Sequence, residues 1–139
     1  MKGLISVKKL RLLPLLLALL FIVSCGGELE TAIYKADTTL GSGAKTLTVK
    51  VVDDAEKVVT FTIKTDAETV GEALMEHSLI AGENAQYGLY IKIVNGVRAD
   101  FEDDGAYWGF YKDGEYMNSG VDTTEFADGD TYELKYTKG

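Results

Sequence analysis

The residues best suited to covalent chemistry are few and scattered: one histidine, His77, and one cysteine, Cys25, in a chain of 139 residues. A nucleophile needs a base held against it, and a catalytic zinc needs about three nitrogen, sulfur or carboxylate ligands. His77 has Ser78 beside it, but adjacent positions on a helix point in different directions. Its spacing from Val70, Ala73 and Leu74 places it at the edge of an apolar helical stripe, as a boundary residue. With no second histidine, nothing here assembles a reaction centre. We expect no enzyme and no metal cofactor.

Asp100-Phe101-Glu102-Asp103-Asp104-Gly105 resembles the opening of an EF-hand loop, with oxygen ligands at relative positions one, three and five and glycine at six. The twelfth position is Tyr111, where a calcium loop needs a bidentate glutamate. The segment reads as a solvated acidic turn.

Aromatic residues are the stronger signal. From Ala106 to Tyr136 the chain reads AYWGFYKDGEYMNSGVDTTEFADGDTYELKY. Tyr107, Phe110 and Tyr111 surround the only tryptophan, Trp108, and Asp113-Gly114 is a two-residue hairpin signal. Strand alternation puts Tyr107, Gly109 and Tyr111 on one face and Trp108 and Phe110 on the other. Each aromatic side chain buries about 150–250 Å². A sheet with one wet face needs only one aromatic set, so the other is either packed under a loop or offered to a ligand. Simple core packing is the plainer alternative.

The elements that position this block follow from periodicity. Thr46–Val52 and Val58–Lys64 alternate about a polar turn and read as a hairpin. The period then becomes helical from Val70 to about Leu79, introduced by a Thr69-x-x-Glu72 capping box and ending near Ala81-Gly82. Leu89–Val94 reads as a strand stopped by Asn95-Gly96, with Val97–Ala99 pairing back. Tyr107–Tyr111 turns back through Glu115 to Met117, and Thr131–Tyr136 forms a last strand with Tyr132, Leu134 and Tyr136 on one face. The order ββαβ, then a hairpin and a final strand, predicts an α+β fold with a single small β-grasp-like domain.

The N-terminus predicts a different fate. Lys2, Lys8, Lys9 and Arg11 precede an apolar run from Leu12 to Val23, the length of a secretory h-region and too short to span a bilayer comfortably. It ends in Ile22-Val23-Ser24-Cys25, which resembles a bacterial lipobox. We therefore expect a lipoprotein signal peptide over 1–24 and lipidation of Cys25. A flexible tether over 25–43 and a domain over 44–139 follow. Such a chain is held by its lipid on the extracytoplasmic side of a bacterial membrane, and multiple acylation makes the hold stable.

Charge narrows the partners. The formal net charge is −8; loss of the leader removes four basic residues and no acidic one, moving it to −12. Nucleic acid is excluded, since phosphate binding needs a basic footprint. With Cys25 committed to lipid no disulfide forms, so a domain of this size relies on packing, burying about 60–65% of its unfolded surface.

The hairpin, the capped Thr-Val-x-Glu-Ala-Leu helix, Asn95-Gly96, Tyr107-Trp108, Gly120-Val121 and Asp128-Gly129-Asp130 together are similar to the C-terminal β-domain of transcobalamin and intrinsic factor. They also resemble a related bacterial domain family of unknown function. The resemblance runs from about Thr46 to Lys138. It implies a ligand-binding β-grasp that presses apolar side chains onto a corrinoid such as cobalamin. By position it implies contacts from Phe110 and Met117, supported by Tyr107 and Trp108, with Tyr116 in the same grip. The large helical barrel of those carriers has no counterpart here, so a partner protein is expected to complete the site. The alternative is a structural or adhesive surface module whose exposed face binds a protein.

Overall fold

Val, Ile, Leu and Phe alternate with Thr and Lys along two eight-residue stretches, and these form the centre of the sheet. The structure is a computed structural model describing residues 32–139. The expected signal peptide, Cys25 and the first part of the tether lie outside the described residues. The strands are β1 Thr38–Gly41, β2 Lys45–Val52, β3 Val58–Thr65, β4 Ile80–Ala85, β5 Gly88–Val94, β6 Val97–Arg98, β7 Ala106–Lys112, β8 Glu115–Tyr116 and β9 Thr131–Lys138. Two short helices, α1 Val70–Met75 and α2 Phe101–Asp104, complete a mixed α+β domain made mostly of strand.

Six strands form one sheet in the order β1-β3-β2-β9-β7-β8, and β4-β5-β6 form a second, antiparallel sheet. In the first, β2 pairs antiparallel with β3 and parallel with β9, while β9 pairs antiparallel with β7. Register aligns Phe61, Val49 and Tyr132 across three strands, and Val59, Val51, Leu134 and Phe110 across four. All seven are buried on one face of the sheet. Burying such a side chain contributes about 1.5–3 kcal/mol relative to exposure, so one face suffices to hold the sheet. Val70, Ala73 and Leu74 of α1 and Ile91, Val94 and Val97 of the small sheet join the same cluster.

The expected hairpins form with the expected turns. Asn95-Gly96 and Asp113-Gly114 both adopt positive φ at both residues, the type I′ geometry whose twist matches the flanking strands. Three expectations are corrected. The tether assigned as far as residue 43 is not free over its described part. Thr38–Gly41 pairs parallel with β3, and Tyr34 packs edge-on against Phe61 at 5.5 Å. The helix ends at Met75, well short of Leu79, because Ser78 takes φ +54. Ser78 N then donates to Met75 O at 3.1 Å and Leu79 N to Leu74 O at 3.0 Å, closing a Schellman motif. Residues beyond it, read as the helix end, form strand β4 against β5.

The acidic turn folds as a single helical turn. Asp100 caps it by accepting from Glu102 N at 3.1 Å, and Gly105 closes it at φ +65.

Candidate functional site

Trp108, Phe110 and Met117 come together on the inner face of the six-stranded sheet near its β7–β8 edge. Met117 N donates to Phe110 O at 2.9 Å, which extends the hairpin ladder beyond β8. These residues form the floor of an open groove of about 330 Å³. Tyr87, Leu89, Tyr90 and Ile91 from the β4–β5 hairpin make one wall, and Asn118 to Val121 make the other. No Asp, Glu, Lys or Arg lines it.

The floor is mostly core. Trp108 is 6% exposed and Phe110 8%. Trp108 Nε1 donates to Val97 O at 3.1 Å, and its ring meets Tyr136 edge-on at 5.7 Å. Phe110 stacks on Tyr132 at 5.3 Å. Both therefore carry the packing role and present only an edge to the groove. The accessible aromatic area belongs instead to Tyr87, 88% exposed at the hairpin tip, and to Tyr116, 60% exposed, with Leu89, Tyr90 and Met117 half-buried between them and the floor.

Tyr107 does not join this group, whereas Tyr116 lines the groove beside Met117. Tyr107 alternates with Trp108 and faces the other side of the sheet. The Tyr116 ring also meets Tyr111 edge-on at 5.5 Å, in register with it. The alternation in AYWGFY contains this split. Tyr87, Leu89 and Tyr90 were missed because nothing local ties the β4–β5 hairpin to β7. The Tyr-Gly-Leu-Tyr run was the available signal.

The loop wall is fixed from behind by the start of α1. Val70 N donates to Thr124 O at 2.9 Å and Gly71 N to Val121 O at 2.8 Å. Two amides that a helix start leaves without partners thus hold the loop. Thr69 Oγ1 accepts from Glu72 N at 3.2 Å, while Glu72 accepts from Glu68 N at 3.3 Å and not from the cap itself. Within the loop, Thr124 Oγ1 bonds Gly120 O at 2.7 Å and Ser119 Oγ at 2.8 Å.

Charges gather behind the tyrosine wall instead of in the groove. Lys92 Nζ lies 3.0 Å from Glu83 Oε1 and 3.2 Å from Asp100 Oδ2, and Arg98 pairs with Asp103. The hydrogen bond from Lys92, opposed by burial and aided by Glu102 N–H, holds the Asp100 carboxyl below its ordinary value. Glu83 first, then Asp100, raise Lys92. The acidic turn is occupied by these cations and by its own caps. Among the described residues no three His, Cys, Asp or Glu side chains gather as a metal-ligand set. His77 is half-buried, with Nε2 enclosed and without a hydrogen-bond partner, near the backbone of Gly41.

The profile of a family described as a domain of unknown function (DUF4430) matches residues 67–138, more than half of the chain. The chain belongs to the DUF4430 family. That span holds both walls and the floor of the groove. Among solved structures, a candidate metal-binding protein of Ruminococcus gnavus ATCC 29149 is 35% identical with a TM-score of 0.66, over 69% of this chain and 99% of that one. Haptocorrin, of the transcobalamin family and solved in complex with Cbi, is 18% identical with a TM-score of 0.50, over 71% of this chain and 26% of that one. It shares the fold, which is what the resemblance to the transcobalamin family implies. No curated protein sequence matches.

Proposed function

We propose that this DUF4430 protein is a lipid-anchored extracytoplasmic binding module whose groove takes a cobalamin-like corrinoid or another flat, partly apolar solute. The observation that carries this reading is the absence of charge in the groove. Every lining side chain is aromatic, aliphatic or neutral polar, in a chain of net charge −8. An uncharged concave surface with aromatic walls suits a flat apolar body, with Asn118, Ser119 and the tyrosine hydroxyls left for its polar rim. The Cbi complex of haptocorrin, whose fold this chain shares, supports a corrinoid.

The strand order β3-β2-β9-β7, a parallel central pair flanked by antiparallel neighbours, supports the β-grasp reading. The chain corresponds to about a quarter of haptocorrin, and the groove is open. A partner protein is therefore proposed to cover the ligand's free side. The lipid on Cys25 holds the module at the membrane, and the module binds its ligand without transforming it.

Calorimetric titration of the lipid-free chain, beginning at Gly26, with cyanocobalamin and cobinamide tests the ligand class. Saturable heat supports the corrinoid; absence of heat with both at near-millimolar concentration removes it. A protein-binding surface module is the second reading, favoured by one observation: Tyr116, 60% exposed on the short edge strand β8. Retention of a specific protein by the intact lipoprotein, lost in Tyr116→Ala, would favour it.

A further inference from the structure

The groove's walls approach each other at two glycines. Gly88 sits between Tyr87 and Leu89 on the hairpin wall, and Gly120 between Ser119 and Val121 on the loop wall. One carboxylate reaches both. A Cβ built on Gly88 would meet Asp122 Oδ1 at 2.8 Å and Oδ2 at 3.1 Å, and one on Gly120 would meet Oδ1 at 2.8 Å. At Gly88 the backbone also demands glycine, with φ +113. Gly120 has no positive φ, and the one atom its Cβ would meet within 4 Å is this carboxylate oxygen.

Asp122 is otherwise unused. Among the described residues its exposed side chain has no hydrogen bond and no ion pair, as is also true of Asp54 and Asp113, whereas Asp37, Asp53, Asp66, Asp100, Asp128 and Asp130 each accept a hydrogen bond. Its support is firm. The absent Cβ of Gly71 lets the Asp122 backbone approach to 3.0 Å of that position, and Gly71 N holds the preceding carbonyl, Val121 O, at 2.8 Å. The exposed Asp122 carboxylate thus stands at the rim of the groove, next to the lining residue Val121, and the lining itself carries no charge.

We propose that Asp122 is the polar subsite of this groove, accepting a hydrogen bond from an N–H donor, a primary amide or an ammonium, carried by the flat ligand. The assignment rests on the reading of the groove as a ligand site and adds the chemistry that this ligand must display. A carboxylate acceptor discriminates strongly, because a charged hydrogen bond contributes more than a neutral one and an ester cannot donate.

The test compares two corrinoids on the chain beginning at Gly26: dicyanocobinamide, which carries primary amides, and dicyanocobyrinic acid heptamethyl ester, which has no N–H. Wild type is expected to bind the amide about tenfold or more tightly than the ester. Asp122→Ala abolishes that preference by weakening the amide alone, and Asp122→Asn, which keeps an acceptor oxygen, retains part of it. Equal weakening of both ligands, or no change with either, overturns the proposal. If wild type binds neither corrinoid, the corrinoid reading fails, and the same variants are compared with tryptamine and 3-methylindole by the amide shifts of Gly88 and Gly120. Weakening of tryptamine alone by Asp122→Ala then supports the subsite; any other result overturns it.

Discussion

The indole of Trp108 donates from Nε1 to the carbonyl of Val97 at 3.1 Å, joining the inner face of the six-stranded sheet to the three-stranded one. That bond places the tyrosine hairpin beside the floor of the groove. The tryptophan is thereby a support for the site more than a contact within it. Trp108→Phe removes this bond from the Val97 carbonyl, which also faces Val94 in the β5–β6 ladder, and we expect a loss of about 0.5–1.5 kcal/mol in urea denaturation. A change below that range would mean that water or a shifted backbone replaces the bond.

Asn95 makes the corresponding connection for the N-terminal strap. It accepts from Tyr34 N at 2.9 Å and donates to Tyr34 O at 2.9 Å, while its own backbone sits at φ +50 and is 2% exposed. Asn95→Ala loses both bonds and strains the turn, for about 2–3 kcal/mol in total. Asn95→Gly relieves the turn but not the clamp. Both variants should therefore expose the peptide bonds around Tyr34 to protease, with Gly the more stable of the two in urea.

The turns and the central hairpin were legible because their signals are local. Asn95-Gly96 and Asp113-Gly114 specify their own φ angles, and Thr46–Val52 alternates without interruption. Strand β1 was not legible, since Thr38-Thr39-Leu40-Gly41 is extended only by virtue of pairing with β3, supplied from about twenty residues away in sequence. In β4 only Ile80 is buried, which leaves no alternation to detect. The helix end was hidden because a serine, Ser78, takes the left-handed position that usually announces itself as glycine. In the groove, alternation separated Trp108 from Tyr107 correctly, but the wall of Tyr87, Leu89 and Tyr90 belongs to a second sheet whose docking no local pattern encodes.

Stability should fall at both ends of the pH scale through the Lys92–Asp100 pair. Asp100 is depressed in the folded state, so its contribution is present above its unfolded value of about 3.9 and is lost as pH falls through the lower folded value. Lys92 is raised, so its contribution is present below about 10.4 and is lost as pH rises through the folded value. Urea midpoints measured across pH should show both limbs. Asp100→Asn should flatten the acid limb, and an unchanged acid limb in that variant would contradict the assignment.

The two faces of the β7–β8 hairpin should separate in ligand binding. Met117 borders the groove, and removing an apolar contact of its size costs about 1.5 kcal/mol, near tenfold in affinity. Tyr107→Ala, on the opposite face, should leave affinity unchanged by the same titration. The reverse order would move the site to the outer face of the sheet.

The central claim is that a flat solute occupies the groove over Trp108. Because Trp108 is the only tryptophan, its emission reports that floor alone. Titration with cobinamide, corrected for absorbance against free N-acetyltryptophanamide, should give saturable quenching that weakens in Met117→Ala. Emission that tracks the free fluorophore up to near-millimolar cobinamide would contradict the account.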